Sequence, residues 1–156
     1  MKVKKDRALD LNLQSWQSSL VISSVEGKKM IYDPLRKINL VLQPEEWVRQ
    51  LIIAFLHKGC HFPLSRMAIE RALPINGKNK RFDLIIFDKK AQPWMLVECK
   101  SFDVKLNEKT AIQAAEYNAE LRCPYLMISN GVETYVCEVN WTQKTTAFLD
   151  SIPSAH

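Results

Sequence analysis

Glycine is scarce in this sequence, with four among 156 residues. That scarcity argues against glycine-rich linkers and phosphate-cradling loops. No GxxxxGK[ST] pattern occurs, so no ATP site is expected in this chain. Long apolar runs are also missing. The longest, such as Leu51 to Leu56 and Leu84 to Phe87, are far too short to span a bilayer, so no membrane association is expected. The basic start (Lys2, Lys4, Lys5, Arg7) leads into no continuous apolar segment, because Asp6, Asp10, Asn12 and Gln14 interrupt it. A secretory signal is therefore not expected, and the expected location is cytoplasmic. Cys60, Cys99, Cys123 and Cys137 form no CxxC pair and match no zinc spacing. They read as reduced, buried thiols. His57, Cys60 and His61 lie close in sequence and read as an ordinary polar helix end.

What is present fits one ordinary globular domain: 47% hydrophobic and 25% charged residues. The formal charge of +5 favours a polyanionic partner only weakly. Its placement is more informative. Lys78, Lys80 and Arg81 fall just before a strand that carries an acid, and they are the candidate nucleic-acid contacts. Lys89 and Lys90 read as a solvated turn.

Residues 1–30 are polar and weakly periodic, and read as an N-terminal extension with one short strand near Leu20 to Ser23. The remainder, 31–156, reads as the domain proper. Leu40 to Leu42 suggests a short strand. Pro44 opens the clearest helix: proline suits the first turn, and Glu45 and Glu46 complement the positive end of the dipole. Trp47, Leu51, Ala54 and Phe55 give it an apolar stripe, and Gly59 is the expected stop. Met67 to Leu73 reads as a strand and Pro74 to Lys80 as a loop around Asn76-Gly77. Phe82 to Phe87 and Trp94 to Cys99 are the best strands, joined as a hairpin. A helix is expected from Glu108 to Leu121, with Ile112, Ala115 and Leu121 toward its buried face. Strands are expected at Pro124 to Ser129 and Thr134 to Val139, around an Asn130-Gly131 turn. This order implies an α/β (α+β) fold with a mixed sheet covered by helices.

The hairpin carries the chemistry. If Phe87 faces Trp94, an antiparallel register puts Asp83 opposite Glu98, and the strand period of two puts Lys100 on the same face. Cys99 then points into the core. Like charges facing each other across a sheet are destabilising unless something positive lies between them. Lys100 and a divalent cation are the candidates. Two carboxylates suit an oxygen-preferring Mg²⁺. The same residues could instead be strand-end charges in a surface ion pair, since a Glu-x-Lys triplet is common by chance. Gln113 and Tyr117, four residues apart on the later helix, share one face and could support Lys100.

Taken together, Asp83, Glu98-Cys99-Lys100 and Gln113-x-x-x-Tyr117 resemble the PD-(D/E)xK nuclease superfamily. More closely, the chain is similar to the N-terminal nuclease domain of type I restriction enzyme R subunits. The similarity is carried by Ile31 to Lys37, Pro44 to Gln50, Lys80 to Ile85, Leu96 to Lys100, Pro124 to Leu126 and Ser129 to Gly131. The resemblance implies a restriction-endonuclease-like mixed sheet flanked by helices. It implies Mg²⁺ or Mn²⁺ held by Asp83 and Glu98, Lys100 as catalytic lysine, and Gln113 and Tyr117 as an accessory QxxxY element. Glu46, with Glu45 close behind, is the candidate for a further helix glutamate, and Glu70 ranks lower. DNA is the implied substrate, with restriction or repair subunits as partners. The missing motor implies a stand-alone domain, or one working with partners encoded elsewhere. Two classes of function follow: metal-dependent DNA hydrolysis, or a catalytically silent nuclease-like module that binds nucleic acid or a partner.

Overall fold

The computed structural model describes residues 7–154 apart from 70, 71, 76 and 82, with the backbone alone described for 72–75 and 78–81. A 3₁₀ turn over Leu13–Ser19 leads into an antiparallel meander of β1 (Ile22–Val25), β2 (Lys28–Asp33) and β3 (Ile38–Val41). Helix α1 (Pro44–Ala54) follows, then β4 (Met67–Ile69), β5 (Ala72–Ile75), β6 (Lys78–Arg81), β7 (Leu84–Phe87) and β8 (Pro93–Cys99). After helix α2 (Glu108–Leu121) come β9 (Tyr125–Ser129), β10 (Thr134–Asn140) and β11 (Thr145–Phe148). The central sheet has the order β11-β10-β9-β8-β7-β4. Among the described strands only β8 and β9 pair in parallel, and α2 supplies the crossover that a parallel pair needs. The mixed α+β architecture expected from the sequence is the one observed.

Period-two alternation divides the core into two layers. Leu84, Ile86, Met95, Val97 and Cys99 pack with Val48, Leu51 and Ile52 of α1. Ile85 and Leu96 point the other way and pack with Ala111, Ala114 and Tyr117 of α2. Glu98 therefore belongs by parity to the α2 side, and Cys99 to the α1 side. The α2 face differs from the expected one. Ile112 and Ala115 are exposed, Leu121 packs at the edge of the core as expected, and Ala111, Ala114, Tyr117 and Asn118 are buried, because small residues let the helix lie close to the strands. Asn107 caps α2 by accepting from Thr110 N–H, and Asn118 closes its far end through both backbone groups of Cys123.

Several boundaries need correction. Regular α-helix in α1 ends at Ala54, and a π turn carries the chain on to Gly59. The segment read as one strand from Met67 to Leu73 belongs to two strands in different sheets, β4 and β5. The expected loop from Pro74 to Lys80 is a hairpin, with Ile75 facing Lys78. Phe87 faces Pro93, not Trp94: a bulge after Ile86 absorbs one residue, while Leu84↔Val97 and Ile85↔Leu96 keep the expected register. Strand β11 was not anticipated, its exposed, threonine-rich sequence offering little apolar signal. At the N-terminus, Leu13 is buried in the core and Leu9 bridges to Thr134. All four cysteines are free thiols, Cys60 half-buried and the others buried. Among the described residues, no helix is long and apolar enough to cross a membrane.

Candidate active site

Asp83 sits immediately before β7, Glu98 is the second-last residue of the buried run of β8, and Lys100 lies just beyond that strand. Asp83 is not held by a ladder partner. Its Oδ2 accepts the Cys99 backbone N–H at 2.7 Å, so the main chain of one strand fixes the carboxylate of the other. The Lys100 Nζ lies 3.2 Å from Glu98 Oε1 and donates to Gln113 Oε1 at 3.1 Å. Tyr117 lies one turn further along α2, close enough to Gln113, Glu98 and Lys100 for all three to bear on its acidity. Two strands and one helix thus bring Asp83, Glu98, Lys100, Gln113 and Tyr117 together.

Charge here is concentrated and poorly solvated. Burial, then Asp83, then the opposing effect of Lys100 set the acidity of Glu98, whose pKa is pushed up to about 8. Its Oε2 is buried with no hydrogen-bond donor. Burial also opposes the charge of Lys100, but Glu98 beside it holds its pKa above the ordinary value. Tyr117 is raised by burial and by Glu98. Side-chain exposure rises outward, from 5% at Glu98 and 12% at Asp83 to 23% at Lys100 and 48% at Glu45. The cluster therefore opens to solvent on the side of Lys100 and the first turn of α1.

The two glutamates of that turn have different surroundings. Glu46 is buried between two arginines, bonding Arg36 Nη2 at 2.9 Å and pairing with Arg49 Nη1. Glu45 is the one turned to the cluster: burial and then Asp83 raise its pKa. Arg49 also reaches Asp83, its Nη2 lying 3.1 Å from Oδ1. Neither Arg49 nor Arg36 was singled out in the sequence. A signal for Arg49 exists, since it stands three and four positions after Glu46 and Glu45 on a helix that is buried from Val48 to Ala54. Glu70 and the side chains of Lys78, Lys80 and Arg81 lie outside the described residues. His57 donates to the Phe62 carbonyl at 2.8 Å, which accounts for it at the end of the helical segment.

A divalent cation fits this donor set in a particular way. Among the described residues, no three His, Cys, Asp or Glu side chains form a ready metal cage. Mg²⁺ does not need one, because it commonly keeps several waters and binds through one or two carboxylates plus substrate oxygens. The donor-free oxygen of Glu98 beside Asp83 meets that requirement.

A mixed sheet with two buried carboxylates and a lysine converging at one end, under α1 and α2, defines the structural class. The chain belongs to the family described as type I restriction enzyme R protein N terminus, whose model matches residues 44–153. A solved fragment described as an HsdR subunit of a type I restriction enzyme from Vibrio vulnificus YJ016 superposes with a TM-score of 0.53 at 16% sequence identity. That match covers 72% of this chain and 24% of the fragment, so this chain spans about a quarter of the solved relative. No curated protein matches the sequence.

Proposed function

We propose that this domain hydrolyses DNA phosphodiester bonds with the help of Mg²⁺ or Mn²⁺, as a member of the PD-(D/E)xK nucleases. The observation that carries the reading is the convergence of the Asp83 and Glu98 carboxyl groups with the Lys100 ammonium. Asp83 and Glu98 would hold the cation. When bound, it would polarise the phosphodiester and acidify an attached water. Lys100, anchored between Glu98 and Gln113, orients the attacking water and stabilises charge developing on the phosphate. Tyr117 lines the same corner of the site, beside Gln113 and Glu98. Glu45, half exposed at the mouth, borders the site, and Glu46 is taken up by Arg36 and Arg49. Lys78, Lys80 and Arg81 would contact the DNA backbone, and other restriction subunits would supply whatever drives the protein along DNA.

Cleavage of plasmid and linear DNA is expected in Mg²⁺ or Mn²⁺ and is expected to disappear in Lys100→Ala and Asp83→Ala. Cleavage that persists in both variants would remove these residues from the chemistry. The engagement of Asp83 by Arg49 favours a second reading, a silent nucleic-acid-binding domain. Metal-independent DNA binding without cutting, across nicked, linear and single-stranded substrates, would select it.

A further inference from the structure

We infer that Arg49 is a resident cation at Asp83, occupying that carboxylate in the metal-free protein and leaving it for Glu45 when a divalent cation enters. The inference rests on the metal-binding half of the reading above, and not on cleavage.

The geometry points this way because both oxygens of Asp83 are engaged. Oδ2 takes the Cys99 N–H, a backbone contact that fixes the carboxylate's orientation. Oδ1 takes Arg49 Nη2. A carboxylate oxygen keeps a second lone pair, but a guanidinium and a dication on one oxygen repel strongly in a site this poorly solvated. Arg49 has somewhere to go. Its Nη2 already lies 3.8 Å from Glu45 Oε1, on a half-exposed side chain. Its Nη1 stays on Glu46, which Arg36 steadies from the other side, with Arg36 itself bonded to Asp33. Moving Nη2 from Asp83 to Glu45 therefore leaves Arg49 paired with two anions, Glu46 and Glu45. Without Arg49, the buried pair Asp83 and Glu98 would face each other in the metal-free fold with Lys100 alone between them. The same guanidinium that keeps the empty site folded thus competes with the ion that fills it.

The test is Mn²⁺ affinity, measured by calorimetry on the wild-type chain and on Arg49→Met and Arg49→Lys. Displacement predicts about tenfold tighter binding in Arg49→Met. It predicts a smaller tightening in Arg49→Lys, whose single ammonium keeps the charge but cannot span Glu46 and Asp83 together. Metal-free melting temperature should fall in both. Weaker Mn²⁺ binding in folded variants would make Arg49 a positioning residue for Asp83 and overturn the proposal. So would tightening in Arg49→Met with Arg49→Lys unchanged, which is the signature of remote charge alone. Absence of Mn²⁺ binding in all three proteins would overturn both this proposal and the metal reading. Binding in the wild type that the substitutions leave unchanged would overturn this proposal only. If the variants do not fold, Mg²⁺ titration of the unaltered protein decides. The Arg49 side-chain ¹⁵N–H signals should shift on saturation, and static signals would refute displacement.

Discussion

Glu98→Gln should stabilise the metal-free protein at alkaline pH, against the usual rule that buried-site substitutions destabilise. Glu98 is 4% exposed, its Oε2 lacks a donor, and Asp83 lies beside it. Its acidity moves from an ordinary value of 4.5 to about 8. Across that interval the native protein retains a proton that the unfolded chain has released. Wild-type stability therefore falls as pH rises from 4.5 toward about 8 and levels off above it. Each pH unit inside the window costs at most about 1.4 kcal/mol, so a step from about pH 6 to about pH 8 removes up to about 3 kcal/mol. In a chain of this size that is a fall in Tm of roughly 6–12 °C. The neutral amide cannot ionise, so its melting temperature should lack this component of the pH dependence. The loss of the Glu98–Lys100 ion pair subtracts about 1 kcal/mol or less, because Lys100 is partly exposed. Mg²⁺ should reverse the order, since at about one hundred times its Kd it adds about 2.7 kcal/mol to a protein that binds it. The assay is thermal melting of both proteins in EDTA and in Mg²⁺ across this pH range. A Glu98→Gln protein that melts no higher than wild type near pH 8 in EDTA would refute the reasoning.

Gly131→Ala should destabilise by about 1–3 kcal/mol, because φ is +87° and the added Cβ would lie 3.2 Å from Val48 Cγ2; urea denaturation reads this. Asn118→Ala removes a buried side chain that both donates to and accepts from the Cys123 backbone, and should cost about 2 kcal/mol in the same measurement. Gln113→Leu releases Lys100 from one of its two anchors. It should lower cleavage about tenfold while leaving DNA affinity at low salt unchanged; comparing single-turnover rates with gel-shift titrations separates the two.

Much of this arrangement was legible in the letters. The paired strands around Ile85 and Leu96 announced themselves by their apolar runs, and α2 was delimited correctly at Glu108 and Leu121. The grouping of Asp83, Glu98 and Lys100 followed from strand register. Its agent was different, however: Asp83 stands outside the ladder and is held by the Cys99 N–H. Periodicity reports side chains and is blind to main-chain donors. It also misphased α2 in part: Ala111 and Ala114 face the sheet in place of Ile112 and Ala115, while Leu121 packs at the edge of the core as expected. Arg49 escaped notice because a basic residue on an amphipathic helix reads as solvated, and its burial depends on what β7 and the β2–β3 turn bring against it. The bulge after Ile86 had no sequence marker of its own, and it displaced only the hairpin end remote from Asp83.

One consequence of the Asp83–Cys99 contact concerns which positions are free to change. The group that steadies the aspartate belongs to the peptide unit, so any residue except proline at position 99 can supply it. The thiol itself is packed among Val97, Met127 and α1, with no part in holding the carboxylate. Substitutions between Glu98 and Lys100 should therefore be sorted by volume and hydrophobicity alone, as at any interior site. Two demands meet within three consecutive residues: the outer two answer to the charge cluster they share with Asp83, the middle one to packing.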